Sequence, residues 1–218
     1  MSDRPVKLNE LFFSLQGEGP DTGFPTIFIR TAGCNLRCLY CDTRYAYEGD
    51  LELTPEAILD HIQQWPSKRV LITGGEPLIQ RDTVLPLAAL LIENKYQVSM
   101  ETNGSLPVTK LPDDLVAIID VKTPGSGMSG VNNFENLRQA RRHHDHFKFV
   151  VASEEDFSWA IEIIRRYRLD RRYTCHIAPA SGIADPQWLA EAILESGRDL
   201  RLNLQLHKIL WPHTARGR

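Results

Sequence analysis

Short runs of β-branched and aromatic residues alternate along this chain with stretches whose apolar positions recur at helical spacing. Residues 26–31 predict a first strand, 69–73 a second, 97–100 a third and Val116–Asp120 a fourth. Further strands are expected over His146–Val151, 173–178 and 200–206. A helix opens at Thr54-Pro55-Glu56: threonine caps it, proline fills the first turn, and the acid meets the positive end of the helix dipole. Ile58, Ile62 and Trp65 mark its apolar face. Other helices are predicted over 85–93, 134–142, the stretch holding Phe157, Ala160, Ile161 and Ile164, and Pro186–Glu195. Strands alternating with helices argue for an α/β fold with a largely parallel sheet. No internal repeat and no linker rich in Pro, Gly or Ser breaks the pattern, so residues 1–218 are read as a single domain.

The polar motifs fall at the ends of these strands. A cysteine-bearing loop follows the first, Gly74-Gly75-Glu76-Pro77 the second, Glu101-Thr102-Asn103-Gly104 the third, and Asp120-Val121-Lys122 closes the fourth. In a parallel sheet those ends share one edge, and ligands of α/β proteins bind there. Gly, Asn and Asp are common in any turn, but ordinary turns do not account for three cysteines on the same edge.

Composition narrows the picture only a little. The formal net charge of -3 gives no electrostatic reason to expect a nucleic-acid backbone as partner. No apolar run approaches the length of a membrane span, and the start Met1-Ser2-Asp3-Arg4-Pro5 lacks a signal-peptide core, so a cytosolic protein is expected. Thiols stay reduced there, and three of the four cysteines lie within eight residues, which points to metal binding rather than a disulfide framework.

Cys34, Cys38 and Cys41 have the spacing Cys-x3-Cys-x2-Cys. A short loop of this kind wraps three thiolates around one corner of a cubane cluster and leaves the fourth iron open, whereas electron-transfer clusters normally use four cysteines. An open metal position marks a site that binds and transforms a ligand. The loop also admits a structural zinc ion, which would need Cys175 or His176 as a fourth ligand. Cys175, between Tyr173 and Ile177, reads otherwise as a small buried hydrophobe.

The triple-cysteine loop, with Tyr40 before the last cysteine, resembles the hallmark of the radical S-adenosylmethionine (SAM) superfamily. Gly74-Gly75-Glu76-Pro77 is similar to the superfamily's second signature, in which glycines let backbone approach the SAM amino group. The resemblance implies a partial (β/α) barrel of mostly parallel strands, a 4Fe–4S cluster and SAM as cofactors, and a 5′-deoxyadenosyl radical as the reactive species. Phe13-Ser14-Leu15-Gln16-Gly17-Glu18-Gly19, Cys41-Asp42-Thr43, Glu101-Thr102-Asn103-Gly104, Asp120-Val121-Lys122-Thr123-Pro124 and Leu206-His207-Lys208 together resemble the 7-carboxy-7-deazaguanine synthase family through nearly the whole chain. Members contract 6-carboxytetrahydropterin to 7-carboxy-7-deazaguanine with loss of ammonia, toward queuosine and related deazapurines.

By that resemblance Cys34, Cys38 and Cys41 hold the cluster, and Thr43 binds a magnesium ion. Gly75, Glu76, Thr102, Asn103, Lys122 and Lys148 belong to the SAM pocket. Leu15, Gln16, Gly17, Glu18, Arg30 and His207 meet the pterin, with Arg30 forked onto its carboxylate. The residues alone also allow a polar turn at Gln16 and Glu18, a structural ion pair at Arg30, a turn cap at Thr43 and a half-buried surface imidazole at His207. Two departures stand out: Ala178 precedes Pro179 where the family often has a larger side chain, and the tail 212–218 runs past the region where the family's chain end meets substrate. A flavodoxin or ferredoxin is the expected reductant, and an open sheet edge makes a homodimer the expected assembly. A glycyl-radical-enzyme activase shares the cysteine spacing, but its large protein partner gives no use for a carboxylate clamp built on Gln16, Glu18 and Arg30.

Overall fold

Among the described residues of the computed structural model (4–213, 216 and 217), nine strands form one sheet in the order β3-β1-β2-β4-β5-β6-β7-β8-β9. The strands are β1 (Val6–Leu15), β2 (Pro25–Thr31), β3 (Leu51–Leu53), β4 (Arg69–Gly74), β5 (Gln97–Thr102), β6 (Val116–Asp120), β7 (His146–Val151), β8 (Thr174–Pro179) and β9 (Arg201–Leu202). From β2 to β9 every pairing is parallel, while β1 pairs antiparallel with β2 and β3. Residues 1–3 of the N-terminal segment and 214, 215 and 218 of the tail lie outside the described residues.

The helices are α1 (Pro55–Ile62), α2 (Arg81–Glu93), α3 (Asn136–Gln139), α4 (Glu154–Tyr167), α5 (Pro186–Glu195) and α6 (Leu206–Leu210). Thr54 caps α1 through its hydroxyl, which accepts from Ala57 N at 3.2 Å; Ser153 caps α4 in the same way, and Asp185 caps α5 through its carboxylate, which accepts from Gln187 N. One face of the sheet (Ile29, Ile72, Met100, Ile119, Phe149, Ile177) joins Ile58, Leu87, Leu91, Ile164 and Leu189 from the helices in the main core. The alternate residues point the other way. There Phe28, Leu71 and Ile118 make a small apolar layer with Phe12, and the polar strand-end residues stand above it.

Two strands lie where none is expected, and two expected elements are shorter. Strand β1 was not predicted because a bulge between Leu8 and Glu10 breaks its period-two alternation. Strand β3, Leu51-Glu52-Leu53, has three residues, two of them exposed, too short a run for its alternation to stand out. The helix expected over 134–142 shrinks to the single turn α3, because Asp145 draws the chain away by accepting from Arg141 N at 2.7 Å. The strand expected over 200–206 ends at Leu202: Asn203 Oδ1 takes the Gly19 N–H at 2.8 Å, Leu206 N donates to Gly17 O at 2.9 Å, and the chain turns into α6. Those two bonds tie the β9 end of the open sheet to the segment after β1.

Candidate active site

The loop between β2 and β3 is braced by its own arginines and by carbonyls of Ser126 and Val150. Arg37 lies 4.2 Å over the Tyr47 ring and donates to Cys34 O at 2.8 Å and Leu36 O at 2.7 Å. Arg44 donates to Leu39 O at 2.7 Å, and Leu39 N donates to Ser126 O at 3.0 Å. The Tyr40 hydroxyl donates to Val150 O at 3.1 Å, and burial pushes its pKa up to about 12, so it stays a donor. Cys34, Cys38 and Cys41 are free, half-buried thiols and line one cavity of about 720 Å³. Leu36 N at 3.4 Å and Asn103 Nδ2 at 3.8 Å donate to Cys34 Sγ and fix its position. Burial pushes the Cys38 thiol up, so ionising it calls for a metal partner.

Among the described residues no three His, Cys, Asp or Glu side chains are gathered closely enough to hold a single metal ion. The three thiols instead face a shared space, which fits a cluster. Cys175 is fully buried on the core face of β8, its thiol raised to about 12 by burial, and His176 pairs with His146 at 3.1 Å. Neither lines the cavity, so the zinc reading lacks its fourth ligand.

Every other residue singled out from the sequence lines the same cavity, with one exception. Glu76 is fully buried behind it, accepting from Thr102 Oγ1 at 2.8 Å, Asn103 N at 2.5 Å and Leu78 N at 2.9 Å. Burial pushes its carboxyl up despite those donors. Glu76 therefore joins the glycine loop to the end of β5 and fixes the backbone of both. Gly75 must be glycine, since a side chain there would run into the Gly33 carbonyl beside the cysteine loop.

The cavity floor is charged. Lys148 is ion-paired with Glu18 and lies 3.7 Å from Glu101, whose other oxygen accepts from Thr73 Oγ1 at 3.0 Å. Burial raises the Glu18 carboxyl, but the Lys148 ammonium outweighs it and holds Glu18 below the usual carboxylate range. Burial wins at Glu101, which is raised. Lys148 is raised well above the usual lysine value: burial lowers it, and Glu18 and Glu101 more than compensate. Lys122 donates to Asp120 Oδ2 at 2.6 Å, and that carboxylate likewise outweighs burial and raises it. Asp120 Oδ1 is buried without a protein partner among the described residues.

Arg30 donates from Nε to Glu10 Oε1 at 2.7 Å, across the β1–β2 pairing, with its guanidinium near the rings of Phe12 and Tyr45. Among the described residues its terminal nitrogens have no protein acceptor, so they remain for a ligand. The Thr43 hydroxyl donates to Asp42 Oδ1 at 2.9 Å and does not cap the short helical turn that follows. Asp42 also accepts from Lys208 Nζ at 2.5 Å and Gln205 Nε2 at 3.1 Å, and Gln205 Nε2 reaches Glu18 Oε1 at 2.6 Å. Burial raises Asp42, but these donors, Lys208 first, hold it far below the usual range. His207, on α6, sits against Gly17 so closely that any Cβ at 17 would meet its ring. Burial lowers its pKa.

Sequence reasoning missed Glu10, Asn203 and Gln205 as supports of Arg30 and Glu18. No local signal marks them, because each acts across strands distant in the chain. Glu101 and Thr73 were legible, as polar residues at the ends of strands whose neighbouring motifs had already been assigned.

The radical SAM superfamily profile matches residues 28–181, from β2 past the end of β8. The 7-carboxy-7-deazaguanine synthase of Koribacter versatilis is 38% identical, covering 97% of this chain and 100% of that protein. The protein of the same name from Chlorobaculum tepidum is 38% identical over 99% of both chains, and that of Methanospirillum hungatei 42% identical over 94% of this chain and 85% of its own. The crystal structure of QueE from Escherichia coli is similar with a TM-score of 0.77 and 27% identity, covering 93% of this chain and 95% of that one. With the cysteine loop, the glycine loop and the charged floor meeting in one cavity of that fold, the chain belongs to the radical SAM superfamily and, within it, to the 7-carboxy-7-deazaguanine synthase family.

Proposed function

We propose that this chain converts 6-carboxy-5,6,7,8-tetrahydropterin to 7-carboxy-7-deazaguanine and ammonia, a carbon–nitrogen lyase reaction leading to queuosine and other 7-deazapurines. The observation that carries the reading is the convergence of three free thiols, the glycine loop and the Arg30 guanidinium on one cavity. A 4Fe–4S cluster with SAM would supply the radical chemistry, and binding and orienting the substrate fall to the chain's own side chains.

Cys34, Cys38 and Cys41 hold the cluster, and Gly75, Thr102, Asn103 and Lys122 surround SAM, with Glu76 setting the backbone of that pocket from behind. Arg30 forks onto the pterin carboxylate, a geometry that guanidinium favours. Glu18, ionised by Lys148, accepts from the amide and amino edge of the pterin beside Leu15, Gln16 and Gly17. Lys148 thus supports the substrate side of the cavity as well as the SAM side. His207 closes over Gly17. Thr43 would hold, through its hydroxyl, a magnesium ion, a hard acid suited to carboxylate oxygen. A flavodoxin or ferredoxin delivers the electron, two copies of the single 1–218 domain assemble as a dimer, and the enzyme works in the cytosol. No helix among the described residues is long and apolar enough to cross a membrane.

Anaerobic turnover with SAM, a chemical reductant and the carboxypterin, followed by mass analysis, tests the reading. Product one ammonia lighter than substrate is expected. SAM cleavage without that product overturns the substrate assignment.

A further inference from the structure

The charges that line the cavity pair off with one left over. Lys122 donates to Asp120 and Lys208 to Asp42, Lys148 is ion-paired with Glu18, and Arg30 is held by Glu10 just behind the lining. Glu101 is the remainder. Its Oε2 accepts from the neutral Thr73 hydroxyl at 3.0 Å, and its Oε1 lies 3.7 Å from Lys148 Nζ, beyond hydrogen-bond reach. Among the described residues no cation donates a hydrogen bond to it, and its side chain opens into the cavity.

Glu101 also stands in the middle of a polar row that crosses the sheet. Arg30 of β2 is in register with Thr73 of β4, Thr73 donates to Glu101 of β5, and Asp120 of β6 is in register with Lys148 of β7. The apolar layer of Phe28, Leu71 and Ile118 lies beneath, two residues earlier on β2, β4 and β6. Neighbouring strands are about 4.8 Å apart, so the Glu101 backbone is about 10 Å from that of Arg30 and as far from that of Lys148. The ring-contraction reading sets the substrate carboxylate at Arg30 and the amide and amino edge at Glu18, beside Lys148. A bicyclic substrate spanning those two contacts passes its saturated ring over the middle of the row.

We propose that Glu101 reads the oxidation level of the substrate, its carboxylate accepting from the ring N–H groups that only the reduced pterin carries. The proposal rests on the ring-contraction reading, which supplies the two end contacts. In the tetrahydropterin both nitrogens of the saturated ring bear hydrogen and donate. In aromatic 6-carboxypterin the same nitrogens present bare lone pairs, which repel a carboxylate and leave it unpaired. The carboxylate at Arg30 and the amide and amino edge at Glu18 are the same in both ligands, so of these contacts Glu101 alone tells them apart. A site built to hydrogen-bond an N–H rejects the analogue that lacks it, because its own acceptor is then left without a partner. Burial raises the Glu101 carboxyl, and an N–H donor placed opposite favours its charged form. The distinction has a use: the oxidised ring has no hydrogen on its carboxylate-bearing carbon, so it can occupy the site but not react.

Protein with reconstituted cluster and no SAM is titrated anaerobically, by calorimetry, with 6-carboxytetrahydropterin and with 6-carboxypterin. Wild type, Glu101→Gln, Glu101→Ala and Arg30→Ala are compared. The readout is the ratio of the two Kd values, because differences of stacking and shape between the ligands cancel when variants are compared. Glu101→Gln should shift that ratio toward the oxidised form by about 10-fold or more, the scale of one hydrogen bond to a charged group. Its amide can turn an N–H toward a bare ring nitrogen, which the carboxylate cannot. Glu101→Ala should shift the ratio in the same direction, so the result does not hang on one substitution. Arg30→Ala should weaken both ligands alike and leave the ratio where it was. A ratio within about twofold of wild type in both Glu101 variants, or one that moves as far in Arg30→Ala, overturns the proposal. Wild-type protein that binds neither pterin refutes the underlying reading instead, so the two failures are distinguishable.

Discussion

Lys148 on β7 and Glu18 in the segment after β1 form a buried ion pair across 130 positions of sequence. Removing one member leaves the other charged and desolvated, which typically costs about 3–5 kcal/mol. Glu18→Gln and Lys148→Met should each lower the stability measured by urea unfolding by that order. The double variant should recover much of the loss, and strict additivity would show that the pair is not coupled.

The two carboxylates beside Lys148 should respond oppositely. The folded-state pKa of Glu18 is lowered, so its contribution is present above the unfolded value of about 4.3 and is lost as pH falls through the folded one. Glu101 is raised by burial, so stability is lost as pH rises from the unfolded value through the folded one. Glu101→Gln should therefore be neutral or stabilising at pH 7, where Glu18→Gln destabilises. Lys148 is raised, and its contribution, complete below the unfolded value of about 10.4, fades only as pH rises beyond it. Unfolding midpoints from about pH 2 to 8 for the two Gln variants check the carboxylate signs.

Cys34→Ala, Cys38→Ala and Cys41→Ala should each lower iron per chain and abolish turnover. Cys175→Ala should keep the cluster, because its thiol lies on the core face and outside the cavity. Iron analysis after anaerobic reconstitution separates the groups, and equal iron loss in the Cys175 variant would reveal a fourth thiolate.

Arg30 already has Glu10 on its Nε, which aims the fork at the cavity. Arg30→Ala should weaken carboxypterin binding by about 1.5–3 kcal/mol, the scale of charged hydrogen bonds, or about 10- to 150-fold in Kd. Glu10→Gln should have a smaller effect in the same titration. A larger effect from Glu10 would make the pair structural rather than substrate-directed.

Thr43→Ala should keep the cluster and cleave SAM, yet lose the stimulation of product formation by magnesium. Product assays with and without the ion decide it. Stimulation unchanged from wild type would leave Thr43 as a turn residue hydrogen-bonded to Asp42.

Much of this is legible in the sequence. The run Val116–Asp120 spans its strand without error, and Thr54-Pro55-Glu56 marks the start of α1, because strand propensity and capping act within a few neighbouring residues. The cysteine spacing and the paired glycines are also local: a short loop limits how far apart three thiols can lie, and only glycine tolerates the approach at Gly75. The tertiary structure decided what such local forces cannot reach. The bulge hid β1, and without β1 nothing pairs Glu10 with Arg30. The turn at Asn203 replaced the end of a predicted strand with the helix that carries His207 to Gly17. Both oxygens of Glu76 are taken by donors from the turn after β4 and from the end of β5, a junction that no single stretch of chain displays. Partners such as Glu18 and Lys148 meet only after seven strands, β1 to β7, have been laid in order, so their pairing is a property of sheet topology, and no stretch of chain short enough to read as a motif contains both.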